Sequence, residues 1–353
     1  MSVNTQALRV GVAVSLPESD LELMRELEPR LEFLYEPELT RPYRWHGDWD
    51  GDPNFTRTPA QDEQFTRMLG SVDALFGIPD VNPALLNHTV RTNDSLRWVH
   101  TTAAGGGSQV KAAGLSAAEL DRVAFTTSAG VHGSTLAEFA LFGVLAGAKN
   151  LRKLEADQAR KYWPNQRWRM RHLDEMTILV VGLGGIGAAV AERFKACGST
   201  VWGTSRSGQA VQHVDRLIHP SALAEAAGQV DAIVATLPGT AGTEGLLGAQ
   251  VFEAVRPDTI LVNVGRGTVV DESALLPALE DGRIGFAALD VVAQEPLASG
   301  SELWDHPNVL ISPHTAALSD QETRRIARLF ARNATALLDG VPLRNRVDTV
   351  EFY

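Results

Sequence analysis

Three residues of the sequence could together do acid–base chemistry on an anion: Arg266, Glu295 and His314. Residues 259–264 read as a strand buried on both faces, with Asn263 as the polar exception, and run straight into Gly265-Arg266-Gly267. Arginine almost never enters an interior unpaired. Arg266 therefore snorkels to water, pairs with an acid, or receives an anion that the chain does not carry. Two further apolar runs also end in polar groups. "FAALDVVAQEPL" reaches Asp290 and Glu295, and "NVLISPHTAAL" reaches His314. Ligands of open α/β sheets sit at the carboxyl ends of the strands, so the three residues can converge there. A carboxylate beside an imidazole favours the charged ring, and a positioned proton donor contributes on the order of 10²–10⁴-fold to a rate. The plainer alternatives are a structural Arg266–Glu295 ion pair and a satisfied buried histidine at 314.

A second pattern concerns phosphate. Gly182, Gly184 and Gly187 form G-x-G-x-x-G, with Gly185 and Ile186 between the last two, after an apolar strand and at the opening of a helix. That context is the one a dinucleotide-binding turn requires. Gly182 permits the tight turn, Gly184 lets backbone approach a pyrophosphate, and Gly187 lets the helix pack close to the strand. The helix N-terminus offers N–H groups and a positive dipole end. The next strand normally ends, about 20 residues on, in an acid that binds the ribose hydroxyls. Here Ser205 stands in that place and Arg206 follows. An acid repels a 2′-phosphate, whereas serine and a guanidinium accept one. The expectation is NADP(H) ahead of NAD(H).

Such residues need a scaffold, and the chain supplies one. Strand-like and helix-like runs alternate at 177–182, 188–197, 199–204, 221–228, 230–236, 248–255, 258–264, 272–281, 284–291 and 308–312. Buried strands alternating with helices predict a doubly wound parallel sheet. Earlier, 8–14 reads as a first strand, 18–28 as a helix and 31–37 as a second strand. "VDALFGI" and "LRWVHTT" read as further short strands. Residues 41–62, with Trp45, His46 and Trp49, read as a long loop: part of a substrate pocket, a subunit contact or a solvated insertion. Residues 134–151 predict a helix apolar nearly all round, with Ser134 as N-cap and Glu138 in its first turn, suited to a core or a subunit contact. The chain closes on an amphipathic helix near 320–338. Cys197 is expected in the core, and His132 in a structural role.

Totals narrow the field. With 353 residues, 44% apolar and 21% charged, the chain has the composition of a globular protein of one or two domains, two being favoured. A net charge of −11 and a pI near 5.3 speak against non-specific nucleic-acid binding and against docking on anionic membranes. An anionic ligand then needs a local cationic pocket. One cysteine excludes an internal disulfide and a cysteine-based metal site, and no metal is expected. The opening residues lack a cationic signal-peptide region, and no run of about 20 apolar residues occurs, so the cytoplasm is the expected compartment.

Several stretches taken together resemble the D-isomer-specific 2-hydroxyacid dehydrogenase family, of the glyoxylate/hydroxypyruvate reductase kind. They are "GLGGIG", "LPGTAGTEGLLG", "LVNVGRGTVVDESALLPALEDGRI", "ALDVVAQEPL", "LWDHPNVLISPHTA" and "VPLRNRVD", and the likeness runs from about residue 98 to the end. The resemblance implies that Arg266 binds the substrate carboxylate and polarises its carbonyl. It implies His314 as the acid/base and Glu295 as its orienting partner. It places Asp290 next to the nicotinamide, and Pro238, Thr243, Val264 and Gly265 along the cofactor. It makes "TTAAGGG" a loop whose backbone N–H groups, at Gly105 and Gly106, hold the carboxylate, although the family often has Val-Asp where this chain has Gly106-Gly107.

The same resemblance implies a fold and an assembly. A flavodoxin-like substrate domain, discontinuous at 1–130 and 318–353, accompanies a Rossmann dinucleotide-binding domain at 131–317. The active site is expected between them, and a homodimer is expected. The implied activity is NADPH-preferring reduction of a small 2-keto acid to a D-2-hydroxy acid. The runner-up is an NAD-dependent dehydrogenase working oxidatively. The rival from another class is a non-catalytic NAD(P)-sensing regulator. A formate dehydrogenase is disfavoured, because that branch pairs its histidine with glutamine.

Overall fold

Short runs of valine, isoleucine, leucine and alanine, each covered by helices on both faces, build two parallel sheets. The computed structural model describes residues 7–206, 208–350 and 352. The chain divides into two units, Met1–Val131 with Leu318–Tyr353, and His132–Ala317.

The first unit holds β1 (Leu8–Val12), β2 (Leu31–Leu34), β3 (Ala74–Phe76), β4 (Trp98–His100) and β5 (Ala124–Thr126). All pairs are parallel, in the order β2-β1-β3-β4-β5, which is the flavodoxin-like order. The terminal helix Glu322–Leu338 lays Ile326, Phe330 and Ala334 on one face of this sheet, against Val10, Phe76 and Trp98. Phe330 stacks on Trp98 with ring centroids 4.5 Å apart.

The second unit holds β6 (Thr177–Val181), β7 (Thr200–Thr204), β8 (Arg216–Ile218), β9 (Ala232–Ala235), β10 (Thr259–Asn263), β11 (Ile284–Leu289) and β12 (Val309–Ile311). Their order is β12-β11-β10-β9-β6-β7-β8. This is the doubly wound Rossmann order with one strand added at the edge, and the winding reverses between β6 and β9. Apolar clusters cover both faces, which is why the strands read as unbroken hydrophobic runs. The helix Gly133–Ala148 lies close over β10 and β11. A Cβ at Gly143 would come within 2.8 Å of Ala288 Cβ, and one at Gly147 within 2.8 Å of Ile260 side-chain carbons.

The structure departs from the sequence reading at several points. The apolar helix begins at Gly133 and ends at Ala148, with His132 in the cap position. Ser134 is not the cap, because it is already the second residue of the helix; its hydroxyl accepts a hydrogen bond from Arg193 Nη2 at 2.9 Å. Asn150, at φ 54°, turns the chain into a second helix, Leu151–Ala159. Nor is the first helix buried all round: Phe142 is 47% exposed. Cys197 is exposed rather than core, since it caps the helix Gly185–Ala196 just after its last turn. The expected loop 41–62 ends early. Thr58 and Gln61 form a capping box, with Pro59 in the first turn, and open the helix Pro59–Leu69. The rest of that segment packs: Trp49 Nε1 donates to Glu322 Oε1 at 3.0 Å, and the Arg44 guanidinium grips Asp48 with two bonds of 2.7 and 2.8 Å.

His100, the last residue of β4, is fully buried, and burial pushes its pKa down from 6.5 to about 3. Unfolding exposes a ring that takes up a proton near 6.5, whereas the folded ring stays neutral down to about 3. This histidine therefore leaves the fold at full stability above 6.5 and erodes it as pH falls below that value, by up to about 1.4 kcal/mol per pH unit. Denaturant unfolding followed from pH 7 to pH 5 should show a shallower loss of stability in His100→Gln than in the parent chain. Equal slopes would contradict a neutral buried ring.

Candidate active site

The glycine loop follows β6, at the point where the winding of the sheet reverses. Gly182 has φ +104°, a conformation suited to glycine. Two threonines grip it. Thr204 Oγ1, at the end of β7, accepts from Gly182 N–H at 2.9 Å, and Thr236 Oγ1, just past β9, donates to Gly182 C=O at 2.6 Å. A Cβ at Gly187 would sit 1.9 Å from Gly182 O, so that glycine is forced by strand–helix packing. Gly184 differs: a Cβ there would meet nothing within 4 Å. No protein atom demands glycine at 184, as expected where something outside the chain must approach the backbone. Gly184 is also the N-cap of the helix Gly185–Ala196, and no side chain caps that end. The N–H groups of Gly185, Ile186 and Gly187 lie in its first turn, ready for an anion. The loop thus fits a dinucleotide pyrophosphate. Ser205 and Arg206 come directly after β7, the strand paired with β6, and Arg206 is exposed.

Arg266, Asp290 and His314 follow the ends of three adjacent strands in register, Asn263 beside Leu289 and Leu289 beside Ile311. A line of hydrogen bonds continues beyond the strands. The buried Asn263 side chain accepts from Gly265 N–H at 3.1 Å and donates to Arg266 C=O at 3.0 Å. Asp290 N–H donates to Asn263 C=O at 3.0 Å, and His314 N–H donates to Asp290 C=O at 2.9 Å. His314 Nδ1 then lies 2.7 Å from Glu295 Oε2. Glu295 Oε1 accepts from Val292 N–H at 3.3 Å. The pair is half-exposed, at 46% for His314 and 39% for Glu295, so the imidazole is open to a ligand. His314 sits at φ 57°, which histidine tolerates better than bulky or β-branched residues. The Asp290 carboxylate is buried under the same turn, where Oδ1 accepts from Ser312 Oγ at 2.7 Å and from Ala316 N–H at 3.0 Å.

The glycines on either side of Arg266 have a packing cause. A Cβ at Gly265 would lie 2.6 Å from Leu237 O, and one at Gly267 would lie 1.8 Å from Val292 O. The Arg266 turn is wedged between the backbones that follow β9 and β11. Its guanidinium Nη1 donates to Gly265 C=O at 2.8 Å. Pro238 and Thr243 belong to the neighbouring turn, which Thr243 Oγ1 closes on Pro238 C=O at 2.7 Å. Val264, buried, bonds through its N–H to Ala235 C=O at 3.0 Å.

In the first unit, the loop after β4 turns its carbonyls inward. Ala103 C=O gathers Thr101 Oγ1 at 3.0 Å, Ser128 N–H at 3.3 Å and Gly106 N–H at 3.3 Å. Gly106 N–H is therefore committed within the loop, and a Cβ at Gly106 would collide with Thr101 Oγ1 at 1.9 Å. Gly105 N–H keeps no such bond. Among the described residues, neither do the N–H groups of Thr102, Ala103 and Ala104. These four consecutive N–H groups are donors that an anion can use.

Sequence reasoning passed over Asn263, Thr204 and Thr236 as site residues. Each is a polar residue at or just past the carboxyl end of an apolar strand, and that position was the available signal. Asn263→Leu should leave two buried backbone groups unpaired and cost about 1–3 kcal/mol in denaturant unfolding. An unchanged midpoint would show that the side chain does not hold the turn.

The model of the D-isomer specific 2-hydroxyacid dehydrogenase NAD binding domain matches residues 141–316. Glyoxylate/hydroxypyruvate reductase A of Salmonella typhi is 32% identical over 180 residues, which span 51% of this chain and 57% of that protein. The match therefore takes in little more than half of that relative. The crystal structure of a D-isomer specific 2-hydroxyacid dehydrogenase from Xanthobacter autotrophicus Py2, in complex with NADPH and MES, superposes with a TM-score of 0.76 at 28% identity, covering 98% of this chain and 100% of that one. An NADPH-dependent glyoxylate/hydroxypyruvate reductase from Sinorhizobium meliloti, solved with NADP and sulfate, has the same fold, with a TM-score of 0.76 at 24% identity over 98% of this chain and 100% of that one. The chain belongs to the D-isomer specific 2-hydroxyacid dehydrogenase family and carries that family's NAD binding domain.

Proposed function

We propose that the chain reduces a small 2-keto acid, such as glyoxylate or hydroxypyruvate, to a D-2-hydroxy acid, with NADPH preferred and NADH as the second cofactor. The observation that carries this reading is the half-exposed His314–Glu295 pair at 2.7 Å, tied through backbone to the Arg266 turn. The Salmonella relative bears the name of such a reductase, and the Xanthobacter relative was crystallised with NADPH.

The bound nicotinamide supplies the hydride. Arg266 pairs with the substrate carboxylate and draws charge from the reacting carbonyl, the kind of fixed positive group that is usually the largest catalytic contribution. Gly105 presents its free N–H to the same carboxylate; Gly106 lends shape rather than a donor, since its own N–H is used. His314 holds a proton at Nε2 and gives it to the carbonyl oxygen as alkoxide character develops. Glu295 keeps the Nδ1–H and with it the ring's orientation. The N–H groups of Gly184, Gly185, Ile186 and Gly187 receive the pyrophosphate. Pro238, Thr243, Val264 and Gly265 line the cofactor, and Asp290 lies next to the nicotinamide. Ser205 and Arg206 take the 2′-phosphate. In this reading the first unit is the substrate domain, the second is the dinucleotide domain, and a reducing cytoplasm suits the single cysteine. A homodimer would cover the exposed Phe142, Tyr162 and Trp163 of the second unit.

His314→Ala should lower keto-acid reduction by about 10²-fold or more. Near-normal turnover would remove His314 from the proton transfer. Arg206→Ala should raise the KM for NADPH by about tenfold or more, the order of one charge-assisted hydrogen-bonded contact, and leave that for NADH nearly unchanged. Equal losses with both cofactors would refute the 2′-phosphate contact.

A further inference from the structure

His100 has no place in the chemistry above, yet it is buried and uses both ring nitrogens. Phe76, Trp98 and Phe330 surround it, with ring centroids 5.7–6.3 Å away. Nδ1 lies 2.8 Å from Thr126 Oγ1 and Nε2 lies 3.2 Å from Ser128 Oγ. Trp98 Nε1 donates to Thr126 Oγ1 at 2.8 Å, and Ser128 Oγ donates to Thr101 C=O at 3.1 Å.

Counting protons fixes the direction of this chain. An indole N–H only donates, and a carbonyl only accepts. Ser128 uses its one hydrogen on Thr101 C=O, so it accepts from His100 Nε2–H. The neutral ring then accepts at Nδ1, and the Thr126 hydroxyl supplies that hydrogen while its oxygen accepts from Trp98. Four hydrogen bonds therefore run one way, from Trp98 to the backbone of Thr101. They leave His100 no spare nitrogen and no place for a second proton. The chain ends on the loop after β4. Ser128 holds Thr101 C=O through its hydroxyl and Ala103 C=O through its N–H, so the carbonyls face inward and the donors from Thr102 to Gly105 are left free.

We infer that the Trp98–Thr126–His100–Ser128 chain is a positioning device that sets these N–H groups for the substrate carboxylate. The inference rests on the function proposed above. It assigns to buried residues that touch neither substrate nor cofactor a control over keto-acid affinity. Because the device acts on ground-state and transition-state binding of the carboxylate alike, its loss raises KM and spares kcat.

The test uses the full chain, with glyoxylate and hydroxypyruvate as substrates and NADPH as donor. Thr126→Val and Ser128→Ala should each raise the keto-acid KM by about tenfold, the order expected for one buried hydrogen bond. Saturated kcat should stay within about twofold, and the KM for NADPH should not move. His100→Gln, which retains an N–H for Ser128, should recover part of what His100→Leu loses. Ser128→Ala removes a single hydroxyl, and an unchanged circular dichroism melt certifies its fold. Folded variants with an unaltered keto-acid KM would overturn the inference. So would parallel losses in kcat and NADPH affinity, which mark general damage. If the parent chain turns over no 2-keto acid, the functional reading fails and this inference falls with it. If the parent turns over and the variants match it, the inference alone fails.

Discussion

Parallel strands offer hydrogen bonds beyond their own ends, and the candidate site hangs from that continuation. Asn263 closes the turn that carries Arg266, Asp290 N–H takes Asn263 C=O, and His314 N–H takes Asp290 C=O. Three groups far apart in sequence are thereby fixed to one backbone line across β10, β11 and β12. Side chains alone could not do this, because a half-exposed hydrogen-bonded pair such as His314–Glu295 contributes little rigidity by itself. The rigidity comes from the sheet, and the side chains inherit it.

The same economy explains the glycines. Gly187, Gly265 and Gly267 are required by backbones already in contact, whereas Gly184 faces open space. The sequence reading already separates Gly184, open to a ligand, from Gly187, required by helix packing, and the structure adds Gly265 and Gly267 to the packed group. Three let the chain pack on itself, and one leaves room for something else.

Much was legible because parallel strands covered on both faces must be apolar throughout. The runs leading to Gly182, Arg266, Asp290 and His314 all proved to be strands of one sheet. Elements with little of that signal were missed. β8 is three residues long with arginine at its first position, and β5 is also three residues long, so neither has enough periodicity to stand out. The capping box at Thr58 was readable, but tryptophans and mixed charges in the preceding segment obscured it. Cys197 was placed inside by residue type, yet it lies at a helix end, where the chain turns to solvent. Networks such as the His100 chain were beyond reach for a different reason. Thr126 and Ser128 meet His100 only because β4 and β5 pair, and pairing is a property of the fold.

The central claim is that this sheet end reduces 2-keto acids with NADPH ahead of NADH. Initial rates of NADPH and NADH oxidation, measured side by side on the unaltered protein with glyoxylate, hydroxypyruvate and a bulkier aromatic 2-keto acid, test it most directly. The account predicts turnover of a small keto acid, with a higher kcat/KM for NADPH than for NADH. Absence of turnover with either cofactor, in protein shown to bind one of them, would contradict it.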